Sequence, residues 1–181
     1  MKLRILIGAL ALLIAGCAGG PAPRSNLAVY DLGIAERPER LLPLGNVDVS
    51  GPPWLAGNDM QYRLAAEPAR RQRFAESQWA AAPAQLLEAG LQRAADGRGR
   101  CSLMVVLDEF VQSFDAAGDS QARLSLRATL NNGRASLANR AFDLSRPAGR
   151  DARGGVAAFG ELQQQLVAGL GDWLAQQGAC R

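Results

Sequence analysis

The clearest alternation in the chain runs through residues 122–130. Ala122, Leu124, Leu126, Ala128 and Leu130 are apolar, while Arg123, Ser125, Arg127 and Thr129 between them are polar. That period of two predicts a strand with one buried face. Asn132-Gly133 follows and signals a tight hairpin, because both residues tolerate positive φ. The partner strand is predicted over 134–144, with Pro147 ending it. Upstream, 101–114 is the longest expected strand. Leu103, Val105, Leu107 and Val111 fall on one of its faces, and Met104, Val106, Phe110 and Phe114 on the other. Apolar residues on both sides predict a central strand covered on both faces. Asp108 and Glu109 then point to opposite faces at a thinly covered strand end. From Gly155 to about Gln177 the period changes. Val156, Phe159, Leu162, Leu166, Leu170, Trp173 and Leu174 recur at three and four, the spacing of an amphipathic helix. Gly178 is its expected C-terminal cap. Gly160, Gly169 and Gly171 weaken it relative to alanine and permit a close approach to the sheet.

The first half of the chain is patterned less strongly. A short strand is expected over 27–33, ending at Gly33. A second covers 41–50, with Leu42, Leu44 and Val47 apolar, and Gly51-Pro52-Pro53 stops it because proline supplies no ladder donor. Met60-Gln61-Tyr62-Arg63-Leu64 alternates as a half-buried strand does. Residues 70–79 fit either a strand or a helix. Pro83 suits the first turn of a helix. Leu86, Leu87, Gly90, Leu91 and Ala94 supply its apolar face, and Asp96-Gly97-Arg98-Gly99 ends it. The expected fold class is α/β: a mixed, largely antiparallel sheet flanked by helices on its faces.

The N-terminal pattern is of another kind. Lys2 and Arg4 precede an apolar run from Ile5 to Ala15, too short to span a bilayer as a helix. Leu13-Ile14-Ala15-Gly16-Cys17 resembles the lipobox of bacterial lipoproteins, in which the cysteine is acylated and becomes the mature N-terminus. Residues 1–16 are accordingly expected to be a lipoprotein signal peptide. Residues 17–26, rich in Gly, Pro and Ala, follow as lipid anchor and flexible tether, and 27–181 as a single domain. The 181-residue chain has a formal net charge of +3, which falls to +1 without Lys2 and Arg4. With no dense Lys/Arg run, nucleic acid is not an expected partner.

The chain has no histidine and three cysteines. A His-dependent triad is excluded, and the commonest metal ligand is missing. With Cys17 assigned to lipid, Cys101 and Cys180 are a candidate disulfide in an oxidising compartment. Chain direction supports the pairing. If the strand from Cys101 runs up, the next runs down, the third up and the last helix down. The helix end then arrives beside Cys101. No Cys-X-X-Cys, Walker-type loop, Gly-X-Ser-X-Gly elbow or metal-ligand cluster occurs. No cofactor, metal or enzymatic turnover is expected. The tryptophans fit either core packing or a docking surface. Trp54, Tyr62 and Trp79 lie outside the clearest core runs and form the candidate docking set.

Several segments together resemble the ABC-type transport auxiliary lipoprotein family, the PqiC-like accessory lipoproteins of MCE systems. They are Tyr30-Asp31-Leu32-Gly33; Trp54-Leu55 followed by Met60-Gln61-Tyr62-Arg63; residues 74–79 leading to Pro83 and Leu86-Leu87; and residues 107–114. Phe142 and the helix ending at Trp173-Leu174 complete the resemblance. It implies an αβ sandwich similar to the N-terminal domain of TolB. It also implies an auxiliary component of an MCE-type ABC transport system for phospholipids or other hydrophobic molecules. The implied partners are an MCE-domain protein and the permease and ATPase of the same system, with assembly into a homo-oligomeric ring. Ala18 after the acylated cysteine favours the periplasmic side of the outer membrane over the inner membrane. The alternative is a structural adaptor lipoprotein, pilotin-like or TolB-like, that docks another envelope complex.

Overall fold

A computed structural model describes residues 27–33 and 42–180. In chain order it contains β1 (Ala28–Tyr30), β2 (Leu44–Ser50), a 3-10 turn (Pro53–Leu55), β3 (Asp59–Leu64) and β4 (Gln72–Trp79). Helix α1 (Pro83–Ala94), β5 (Cys101–Phe114), β6 (Ser120–Asn132) and β7 (Ala135–Ala148) follow. Helix α2 (Ala152–Ala175) and a 3-10 turn (Gly178–Cys180) complete the chain. Residues 70–79, open between strand and helix in the sequence, supply β4. Cys17 and the tether lie outside the described residues.

All seven strands join one sheet, in the order β1-β4-β3-β5-β6-β7, with β2 also paired to β5. The β5–β6–β7 meander is antiparallel and in register over nearly the full strand lengths. The other side of β5 is shared. β2 runs parallel along Cys101–Val106, and β3 runs parallel along Gln112–Phe114. The sheet is thus mixed and mostly antiparallel, as the alternation and turn signals imply.

One layer of helix covers it. α1 packs on β2, and α2 packs on β6, β7 and α1. The core lies between these layers and is built from Leu103, Val105 and Leu107 of β5, Leu124, Leu126 and Leu130 of β6, and Leu162, Leu166 and Leu170 of α2. On the opposite face Met104 is 53% exposed and Val106 37% exposed. The expected cover on both faces is therefore corrected: among the described residues the helices share one face, and the other is open. Apolar side chains on an open face carry the same sequence signal as buried ones.

A bulge in β5 produces a second correction. The register shifts between Leu107 and Glu109, so β5 gains one residue against β6. Leu107 and Phe110 both reach the core, and Asp108 and Glu109 both turn to the open face. Phe110 and Phe114 consequently share the helix side with Leu107, and Val111 joins the open side, the reverse of strict alternation.

Helix ends differ from expectation by a few residues. α2 begins at Ala152 because the Asp151 carboxylate accepts the Gly154 N–H at 2.7 Å, satisfying a free helix donor. Gln176 caps its other end, and Gly178 opens the final 3-10 turn. In the β6–β7 hairpin only Gly133 has positive φ (58°), so Asn132 closes the ladder opposite Ala135 and does not sit in the turn. Of the helix glycines, Gly160 faces the Leu32 carbonyl and Gly169 the Phe142 ring, where a Cβ would lie 3.3 Å away. Gly171 has only ordinary contact with Leu42. The tighter approach is at Gly155, whose missing Cβ leaves room for the buried Gln112 amide. That amide donates to Ser120 Oγ at 2.9 Å and to the Gly149 carbonyl at 2.8 Å, tying β5 to the start of α2.

Candidate functional site: the open sheet face

The turn Pro53–Leu55 sets Trp54 beside the open face. Leu55 is buried and anchors the turn, which leaves Trp54 55% exposed. Gln61 Nε2 donates to the Trp54 carbonyl at 2.6 Å, and Arg71 Nη1 donates to Gln61 Oε1 at 2.9 Å. The Arg71 guanidinium stands 5.6 Å from the Trp54 ring centre, within cation–π range.

The β5 bulge brings Glu109 into this arrangement. Its carboxylate lies 2.9 Å from Arg63 Nη2 and 2.8 Å from Arg71 Nη2. One carboxylate thus bridges two guanidiniums whose side chains are 24% and 21% exposed. The partial burial shields the cluster from solvent more than the outlying pairs, and it carries one excess positive charge. Under it Val111 is only 1% exposed. Asp108 pairs across the sheet with Arg127 at 2.8 Å, and its hydrogen bond and charge push the Arg127 guanidinium above its ordinary pKa. Beyond that pair Met104 and Val106 are exposed, set among the polar Asp48, Ser50, Thr129 and Arg127 of the neighbouring strands.

The three sequence candidates separate. Trp54 lies on this face. Tyr62 lies on the helix side, half-buried against Phe74 at 4.8 Å. Trp79 is 2% exposed, with its ring 5.5 Å from Phe110 and 5.7 Å from Phe159. Trp79 is therefore a core residue and is withdrawn from the docking set. Sequence reasoning missed Arg63, Arg71 and Glu109. The available signal was the break in spacing between Leu107 and Phe110, which puts two consecutive acids on one face. Cys101 and Cys180 are bonded, with Cα atoms 5.4 Å apart, where the chain-direction argument puts them.

Other features offer less chemistry. A recess of 460 Å³ lies between β1 and α2, and its acids Asp31 and Glu161 are committed to the Gly33 N–H and to Arg146. Among the described residues no group of three potential metal ligands converges, and no helix is long and apolar enough to cross a membrane.

The fold and this face define a two-layer α/β protein whose sheet is open on one side. No family model and no curated protein matches the sequence. Among solved structures, the chain is similar to protein XCC0632 from Xanthomonas campestris, described under the family model DUF330. That alignment has a TM-score of 0.70 at 20% identity and covers 83% of this chain and 97% of that one. The crystal structure of an uncharacterized protein aligns with a TM-score of 0.59 at 17% identity, over 81% of this chain and 97% of that one. At these identities the likeness is one of fold.

Proposed function

We propose that this chain is a lipid-anchored docking subunit, auxiliary to an MCE-type ABC system that moves phospholipids or other hydrophobic molecules, and that it has no turnover of its own. The observation that carries the docking role is the open face. It presents an exposed tryptophan, a shielded arginine–glutamate cluster and a set of exposed aliphatics on one rigid sheet. Aromatic and arginine side chains dominate association energy at protein interfaces. The lipobox-like stretch ending at Cys17 supports the anchor, and the family resemblance supports the MCE partner.

Two measurements test the reading. Palmitate labelling should mark the mature protein, and Cys17→Ser should abolish the label; a label that survives removes the anchor. Cross-linking in membranes should capture an MCE-domain protein. Trp54→Ala should weaken that capture by about 2 kcal/mol, roughly 30-fold in Kd. Its melting temperature should barely move, because substitutions at exposed positions usually stay within about 0.5 kcal/mol. If no MCE protein is captured, the adaptor reading, docking of another envelope complex, takes its place.

A further inference from the structure

The backbone around Trp54 is fixed, but the core does not hold its ring. The Leu55 N–H donates to the Pro52 carbonyl at 2.9 Å and the Ala56 N–H to the Pro53 carbonyl at 3.2 Å, while the Leu55 side chain is buried. These contacts set the turn and leave Trp54 itself 55% exposed. The Arg71 guanidinium faces the ring at 5.6 Å. Among the described residues no other aromatic ring stacks with it. The direction of the ring therefore depends on where Arg71 is held.

Glu109 holds Arg71 in two ways. Its Oε1 lies 2.8 Å from Arg71 Nη2, which fixes the guanidinium directly. Its Oε2 accepts from Arg63 Nη2 at 2.9 Å, and Arg63 Nη1 donates to the Pro68 carbonyl at 2.6 Å. Pro68 belongs to the connection between β3 and β4 that carries Arg71, so this second route fixes the backbone from which Arg71 springs. Gln61 closes the circuit. It accepts from Arg71 Nη1 at 2.9 Å and donates to the Trp54 carbonyl at 2.6 Å. The bulge between Leu107 and Glu109 is what puts the carboxylate on this face.

We propose that Glu109 is the positioning residue of the docking face: acting through Arg71, it holds the Trp54 ring in the orientation that a protein partner meets. The proposal deepens the docking reading and rests on it for the purpose of the ring. The role calls for a carboxylate and not for any hydrogen-bond acceptor. Arg63 and Arg71 share one carboxylate, and their side chains are only 24% and 21% exposed. Without its charge the two guanidiniums repel each other where water screens them only in part. Asp108 lies on the same face but cannot take over, because it is committed to Arg127 at 2.8 Å. A ring that is already held loses less freedom on association than a free one. Ordering one such side chain corresponds to about 2- to 10-fold in Kd.

The test labels the full chain with fluorotryptophan and reads the fluorine signals of its three tryptophans by NMR. Trp54→Phe assigns the signal of Trp54, and the buried Trp79 and Trp173 serve as internal controls. Glu109→Gln and Arg71→Ala should each move the Trp54 signal toward its unfolded position and narrow it, with the other two signals in place. Asp108→Asn, which breaks the neighbouring pair with Arg127, should leave all three unchanged. A Trp54 signal that Glu109→Gln does not move would overturn the proposal. A change in all three would overturn it too, by making Glu109 a general support of the fold. Capture supplies a second readout. Glu109→Gln should weaken capture of an MCE-domain protein by about 2- to 10-fold, and adding it to Trp54→Ala should weaken capture no further. Additive losses would mean that Glu109 meets the partner itself and would also overturn the proposal. If the native chain captures no MCE-domain protein, the docking reading falls, and the fluorine spectrum still decides whether Glu109 positions Trp54.

Discussion

Trp79→Ala is expected to cost about 3–5 kcal/mol of unfolding free energy, the range for truncating a fully buried large aromatic. The reason is position. Trp79 ends β4, where its N–H donates to the Asn58 carbonyl at 2.8 Å and its backbone pairs with Tyr30 of β1. Its ring meets Phe110 of β5 and Phe159 of α2, which stack on each other at 3.9 Å. One side chain thus joins the β1–β4 edge, the central strand and the long helix. Alanine leaves a cavity bounded by three elements that cannot all close on it. For a domain of this size the loss corresponds to a fall in melting temperature of roughly 6–20 °C. Urea unfolding of Trp79→Ala and Trp54→Ala in parallel checks the assignment. A neutral Trp79→Ala beside a strongly destabilised Trp54→Ala would mean that the inner and outer faces are exchanged.

The contrast between these tryptophans shows where sequence reading stops. Both sit in weakly patterned stretches near Gly or Pro, and residue type says nothing about which one is covered. The cover depends on where α2 lies, which brings Phe159 against Trp79 and Phe110. The elements from β5 onward are different. Their periods of two and of about three and a half persist for a dozen residues or more, and short turns force antiparallel neighbours. Strand order, direction and the Cys101–Cys180 proximity follow from that alone. The parallel pairings of β2 and β3 with β5 are set by long connections, which leave no periodic signal.

The candidate site was less legible for a specific reason. Alternation through β5 is a parity argument, and one extra residue at Asp108 inverts every assignment after it. Phe110, Gln112 and Phe114 become core-facing, and Glu109 reaches Arg63 and Arg71. Asp48, Asp108, Met104 and Val106 show the other difficulty. Met104 and Val106 look like core in the sequence, yet their lateral neighbours on β2, Asp48 and Ser50, and on β6, Thr129 and Arg127, are polar. Reading across strands would have opened that face, but it requires the register first. The edge of β2 illustrates a compensation that also needs the structure. The Val49 N–H donates to Glu88 at 2.9 Å, and Gln92 donates to the Val47 carbonyl at 3.2 Å, so α1 closes ladder groups that an exposed edge would offer to another chain.

Removing the disulfide is the second change with a large expected effect. Cys101 opens β5 and is 1% exposed; Cys180 lies in the last turn and is 2% exposed. They are 79 positions apart, so the bond closes a loop that contains β5, β6, β7 and α2. In the chain-entropy account a loop of this length restrains the unfolded chain by roughly 4–5 kcal/mol. The Cys101→Ala, Cys180→Ala double variant should lose stability of that order, and reduction of the native protein should do the same. Much of the folded structure should persist below the transition. Leu162, Leu166 and Leu170 hold α2 on the sheet independently of its end. The local effect should be confined to the 178–180 turn, the last turn of α2 around Trp173 and Leu174, and the start of β5. Hydrogen exchange on the folded double variant would then quicken there first and leave the β6–β7 ladder protected. A double variant as stable as the native chain in urea would show that the unfolded state gains no freedom when the loop is opened. Residual structure in the unfolded β5–β7 meander would then have to hold the ends of the loop together.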